Sequence, residues 1–221
     1  MEVLLLSEKY GFDYHEAMEF LANKSRTDTH GLLEKMNSVI HEREKEERSQ
    51  MNEWSGAVFE NIQKMKCDSV GKIGETFITN LCDDFEIEHE YKGNCNKNQV
   101  DGVFDLKING HRIECKTARM GKSGSFQHES LRRNGCDFYL FIDILPNEIY
   151  LSFLNSFSNL KEITGRTPHQ RKGAIDVFKL DTSVKILNKM VQNGFSCHIA
   201  EDTPVETVKS FVLFHLKNTP K

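Results

Sequence analysis

The sequence predicts an α/β domain, a mixed β-sheet core flanked by helices, preceded by a helical N-terminal region. Three observations carry that expectation. Apolar side chains recur at helical spacing through residues 32–66, the period changes to alternation at Phe85, and strand-like runs follow at 103–116, 138–145 and 149–154. Helix, strand, hairpin and then further strands is the order of an α/β domain with a mixed sheet.

Bulk properties bound the possibilities. The 221 residues suffice for one packed domain and an appendage. Hydrophobic residues at 38% and charged residues at 28% are ordinary for a soluble globular chain. No apolar run approaches the roughly 20 residues of a membrane span, and Met1-Glu2 lacks the basic start of a signal peptide. An intracellular protein without a membrane partner is expected. The six cysteines contain no Cys-x-x-Cys pair, which fits reduced thiols better than a disulfide framework or a zinc site.

The N-terminal elements come first. Residues 2–10 read as a short apolar helix interrupted by Gly11, and Asp13 with Glu16 forms a capping-box pattern ahead of a helix from Tyr14 to Asn23. The pair reads either as a DNA-binding unit or as a plain helical hairpin. Leu33, Met36, Val39 and Ile40 then form one stripe, and Met51, Trp54, Val58, Ile62 and Met65 resume it. Opposite charges at i,i+4 between them (Arg43 with Glu47, Glu44 with Arg48) suit a solvated helix, or one that pairs with a second subunit. The division expected is a helical region over 1–66, making DNA or dimer contacts, and an α/β domain over 67–221.

That domain opens with a helix near 70–83 carrying Glu75, followed by an alternating strand from Phe85 to Tyr91 and a polar loop. The hairpin of 103–116 comes next. Asn109-Gly110 marks a two-residue type I′ turn, whose central positions both need positive φ. Such a turn sets Ile108 opposite His111, Lys107 opposite Arg112, Leu106 opposite Ile113 and Asp105 opposite Glu114. Leu106, Ile108, Ile113 and Cys115 share an apolar face; Asp105, Glu114 and Lys116 share the other. Carboxylates opposed at roughly 5 Å repel one another unless a cation lies between them. A divalent ion with hard oxygen ligands resolves the conflict. Lys116, in phase with Glu114, can hold or activate the attacking water or neutralise charge on a phosphate, so the set suits phosphodiester hydrolysis.

Asp105 followed by Glu114-Cys115-Lys116, on a hairpin after a helix bearing Glu75, resembles the PD-(D/E)xK nuclease superfamily, to which most type II restriction endonucleases belong. The resemblance covers about 75–155. It implies a restriction-endonuclease-like fold, with Asp105, Glu114 and the Cys115 backbone carbonyl holding Mg²⁺ or Mn²⁺. Lys116 would be the catalytic lysine, and Glu75 would match the helical glutamate that completes the metal shell. It also implies 5′-phosphate and 3′-hydroxyl ends and, for a type II restriction enzyme, a homodimer on double-stranded DNA. No proline precedes Asp105, and Asp101 competes for the first acidic position, although the hairpin register favours Asp105. Within nucleases, a structure-selective repair or recombination enzyme is the alternative; outside them, a non-catalytic DNA-binding module with a solvated acidic face.

Net charge is −4, and residues 1–66, with 9 basic and 13 acidic side chains, account for all of it. Residues 107–135 hold seven basic side chains against two acidic ones, either a phosphate-facing surface or a chance cluster. Arg119, Lys122, Ser123, Arg132 and Arg133 are the DNA-contact candidates there. Gln127 joins them by matching a polar residue downstream of the lysine in some superfamily members. Gly121-Lys122-Ser123 imitates the end of a phosphate-binding loop, but the required first glycine falls on Lys116, so the segment reads as a flexible basic loop. Residues 161–172 read as a second basic loop, and 195–198 and 205–216 as core-closing elements.

Overall fold

A computed structural model describes residues 15, 33–45, 53–91, 104–133, 135–155 and 157–217. The chain forms two compact units, Met1–Glu53 and Trp54–Lys221. The expected helices over 2–10 and 14–23 lie outside the described residues, except that His15 is helical. Within the first unit residues 33–45 are helical, with Leu33, Met36, Val39 and Ile40 exposed. The expected helix does not run on to residue 66. Gly56 adopts φ +75°, a turn follows, and only a 3-10 helix at Glu60–Lys64 remains. Trp54 and Ile62 are buried in the second unit, whereas Val58 is 75% exposed.

The second unit begins with helix α1 (Cys67–Asp84). The chain leaves it through Glu86 at φ +55°, with Glu86 N–H donating to the Asp83 carbonyl and Ile87 N–H to that of Cys82. This left-handed termination uses up the residues expected to begin a strand. Strand β1 is therefore only His89–Tyr91. Then come β2 (Leu106–Ile108), β3 (His111–Arg119), β4 (Ser125–Leu131), β5 (Phe138–Ile144) and β6 (Ile149–Leu154). Helix α2 (Leu160–Thr164), β7 (His169–Gln170), β8 (Phe178–Ser183), α3 (Val184–Gln192), β9 (Ser196–Ile199) and α4 (Val205–Lys217) complete it. None of the described helices is long and apolar enough to cross a membrane.

The architecture is mixed α/β, as expected. A six-stranded sheet has the order β1-β2-β3-β5-β6-β9, antiparallel except for the parallel pair β3–β5. A second sheet, β4-β8-β7, is antiparallel. The large sheet is covered on both faces, which is why β5 is apolar throughout except for Asp143. On one face Ile113, Cys115, Leu140 and Ile142 pack with Val70 and Ile78 of α1 and with Val208 and Val212 of α4. On the other, Ala118, Tyr139 and Phe141 meet Phe126, Leu131 and Leu180 of the small sheet and Leu187 and Met190 of α3.

The small sheet corrects the sequence reading of 117–135 and 161–172 as loops. Strand β3 continues to Arg119, and Ser125–Leu131 is a strand whose Phe126 and His128 point inward while Gln127 and Glu129 point out. Of residues 161–172, 161–164 belong to α2 and 169–170 to β7, while 165–168 and 171–172 are loop as expected.

One close approach ties α1 to the large sheet. A Cβ on Gly74 would collide with Thr117 Oγ1 and lie 3.0 Å from Ile142 Cδ1, so only glycine allows the helix this near. Glu75 follows Gly74 and Lys116 precedes Thr117, so this contact sets the helical carboxylate in register with β3.

Candidate active site

The β2–β3 hairpin has the register its turn residues dictate. Asn109 and Gly110 adopt φ +50° and +82°, and Ile108 faces His111, Lys107 faces Arg112 and Leu106 faces Ile113. Just before β2 the chain bends at Asp105. Its N–H donates to the Ile113 carbonyl at 2.9 Å, and its Oδ2 accepts the Cys115 N–H at 2.9 Å. The Asp105 carboxylate is thereby tied to the backbone of β3 between Glu114 and Lys116.

Those two side chains meet on the same face of β3, with Lys116 Nζ 2.5 Å from Glu114 Oε1. Glu114 is only 7% exposed, and its second oxygen, Oε2, is buried without a hydrogen-bond partner. Burial disfavours the Lys116 ammonium, but attraction to Glu114 and Asp105 outweighs it and raises the lysine above its ordinary value. Asp105 is driven from the usual 3.8 to about 7 by burial and then by repulsion from Glu114. Lys116 and the Cys115 N–H oppose that shift, and Glu75 adds to it.

Glu75 is brought to the edge of this group. Tyr91 Oη donates to Glu75 Oε2 at 2.6 Å, which pushes the phenol up to about 12. Tyr91 escapes sequence reasoning because the bond joins β1 to α1. Cys115 sits between Glu114 and Lys116 with its thiol buried in the first core. Asp101 lies outside the described residues.

Among the described residues no three His, Cys, Asp or Glu side chains gather closely enough to cage an ion by themselves. The donors suit the other mode of binding. Magnesium takes one or two carboxylates and fills its shell with water and substrate phosphate. Two crowded carboxylates, one with an unsatisfied buried oxygen, fit that demand.

The candidate DNA-contact residues divide between two ends of β3. Arg119, Lys122 and Ser123 lie toward its C-terminal end, about 17 Å beyond Glu114 at strand rise. The Arg119 guanidinium donates to the carbonyls of Ile62 at 2.6 Å and Met65 at 2.7 Å, pinning the segment before α1. Ser123 Oγ is 2.6 Å from Ser125 Oγ in the exposed turn that also carries Lys122. Gln127 faces outward from the middle of β4. Arg132 and Arg133 are at the carboxylate end: the Arg132 carbonyl accepts the Tyr139 hydroxyl, and Tyr139 is the β5 partner of Glu114.

The raised Asp105 makes stability depend on pH. The folded chain binds this proton more tightly than the unfolded chain, so it carries the extra proton between about pH 4 and 7. The Asp105 contribution to stability is therefore fully present below about pH 4 and lost as pH rises through about 7. In EDTA, the urea midpoint of Asp105→Asn should fall less than that of the wild-type chain across this window. Parallel profiles would refute the assignment.

The chain matches no known family model, and no curated protein matches it.

Proposed function

We propose that the chain is a Mg²⁺-dependent endodeoxyribonuclease of the restriction-endonuclease-like kind, hydrolysing phosphodiesters in double-stranded DNA. The observation that carries this reading is the meeting of Asp105, Glu114 and Lys116 at one end of a hairpin, with Glu114 Oε2 buried and unsatisfied. Asp105, Glu114 and the Cys115 carbonyl would hold the ion, with Glu75 at the margin of its shell. Bound there, the metal supplies charge neutralisation at the phosphoryl oxygen and a lowered water pKa.

The protein groups do the positioning. Lys116, with its raised proton affinity, stays cationic at neutral pH and acts as an electrostatic partner for the attacking water or a phosphoryl oxygen, not as a base. The Cys115 N–H holds Asp105 at a set orientation, and Tyr91 does the same for Glu75. Water adds to phosphorus, the bond to the 3′ oxygen breaks, and a 5′-phosphate and a 3′-hydroxyl result. Within this reading a type II restriction enzyme acting as a homodimer is the form we favour, since two symmetric centres cut both strands of a palindrome.

Incubation of the purified chain with plasmid and genomic DNA tests this directly. Discrete fragments are expected with Mg²⁺ and none with EDTA. Metal-dependent cutting confined to branched or nicked substrates would place the protein among repair nucleases. Binding without cleavage, indifferent to metal, would overturn the catalytic reading.

A further inference from the structure

The hairpin joining β7 to β8 carries the sequence Arg171-Lys172-Gly173-Ala174-Ile175-Asp176. Ile175 at its tip is 95% exposed, more than any other large hydrophobic side chain among the described residues. Single exposed apolar residues are common on protein surfaces. This one stands out because its loop is braced. Gly173 and Asp176 adopt φ +78° and +56°, Arg171 N–H donates to the Val177 carbonyl at 2.8 Å, and Gln170 Nε2 donates to the Ala174 carbonyl at 3.2 Å.

Its base is anchored as well. Arg133 Nε lies 3.3 Å from Asp176 Oδ1, and its guanidinium sits over the Phe178 ring, 4.9 Å from the centroid. Asp176 is thereby neutralised, and no ion pair among the described residues occupies Arg171 or Lys172. The tip is thus a fixed apolar point preceded on one arm by two cations that no described residue pairs with.

Its place in the fold gives the direction in which it acts. Phe178, at the foot of the hairpin, pairs with Leu131, and the next residue, Arg132, accepts the Tyr139 hydroxyl beside Glu114. The hairpin and the carboxylates therefore occupy the same end of the two-sheet stack.

We infer that the 171–176 hairpin is a DNA wedge: Arg171 and Lys172 contact phosphates, and Ile175 enters between base pairs from the minor groove and kinks the duplex. Apolar side chains inserted this way, with basic neighbours on the backbone, unstack a base step and bend DNA. Charge complementarity selects a polyanion, and an apolar point three and four residues beyond two cations suits a stacked duplex better than a protein partner. The inference rests on DNA being the substrate of the adjoining centre.

The test uses the full chain in EDTA and a duplex oligonucleotide labelled at both ends, with binding and end-to-end energy transfer read together. The wild-type chain should bind and shorten the end-to-end distance. Arg171→Ala with Lys172→Ala should reduce the salt slope of log affinity by about 2, one unit for each phosphate left unneutralised. Ile175→Ser should keep the slope, weaken binding about tenfold and abolish the shortening, whereas Ile175→Met restores it. A wild-type chain that does not bind the duplex, or an Ile175→Ser variant that binds and bends like wild type, overturns the wedge. Parallel plasmid assays separate the two readings. Cleavage with an inert Ile175 sinks the wedge alone, and hairpin-dependent bending without Mg²⁺-dependent cleavage sinks the nuclease alone.

Discussion

Lys116→Ala is expected to lower the rate of DNA cleavage about 10³-fold while leaving duplex affinity within a few-fold of wild type. The size follows from where the ammonium sits. Lys116 Nζ is held against Glu114, 2.5 Å away, and it also draws on Asp105. In a partly desolvated site a fixed charge counts for far more than in water. Truncation also removes the partner of a buried carboxylate, so Lys116→Arg, which keeps the charge with a different shape, is the paired control. Partial activity in the arginine variant with none in alanine would show that charge is what matters. The decisive readout is single-turnover cleavage at saturating DNA, which separates chemistry from binding. An alanine variant cutting at the wild-type rate would remove Lys116 from the reaction.

Asp143→Ala is expected to cost about 3–5 kcal/mol of folding stability. Asp143 of β5 and His128 of β4 are both fully enclosed where the two sheets meet, with His128 Nε2 3.0 Å from Asp143 Oδ1. The pair is close but poorly aligned: neither side chain has a well-directed hydrogen bond, and Thr182 Oγ1 nearby in the same layer is also unsatisfied. The imidazole stacks on Phe141 with centroids 3.9 Å apart. Removing the carboxylate strands a buried polar ring, whereas replacing both partners with leucine exchanges a strained polar pair for apolar packing. The double variant should therefore recover most of the loss. Urea midpoints at constant slope measure both. A single variant costing under about 1 kcal/mol would show that the pair contributes little. Because Phe141 is the β5 partner of Lys116, the same variants report on how this layer supports the site.

The hairpin is legible because its information is local. Asn109-Gly110 sets the register, the register sorts the faces, and the faces assemble Asp105, Glu114 and Lys116. The helix bearing Glu75, the apolar run Phe138–Ile142 of β5 and the strand-like run of β6 are equally readable. What cannot be read depends on distant partners. Strand β4 pairs with β8 some fifty residues later, and its bulge after His128, with Ser130 at φ +59°, blurs the alternation. Arg119 reads as a phosphate contact because nothing in its neighbourhood reveals that Ile62 and Met65 claim its guanidinium. The expected helix through residue 66 fails at Gly56, a single residue whose left-handed conformation outweighs a helical pattern on both sides.

The turn at Asn109-Gly110 also orders events in time. Hairpins of this length close in roughly microseconds, before distant segments find one another. Asp105, Glu114 and Lys116 thus come together while water still surrounds them, and the repulsion between the two carboxylates is then small. It grows only when β5 pairs with β3 and α1 docks through Gly74 against Thr117. The cost of crowding two carboxylates therefore falls on the last steps of folding, where it speeds unfolding more than it slows folding.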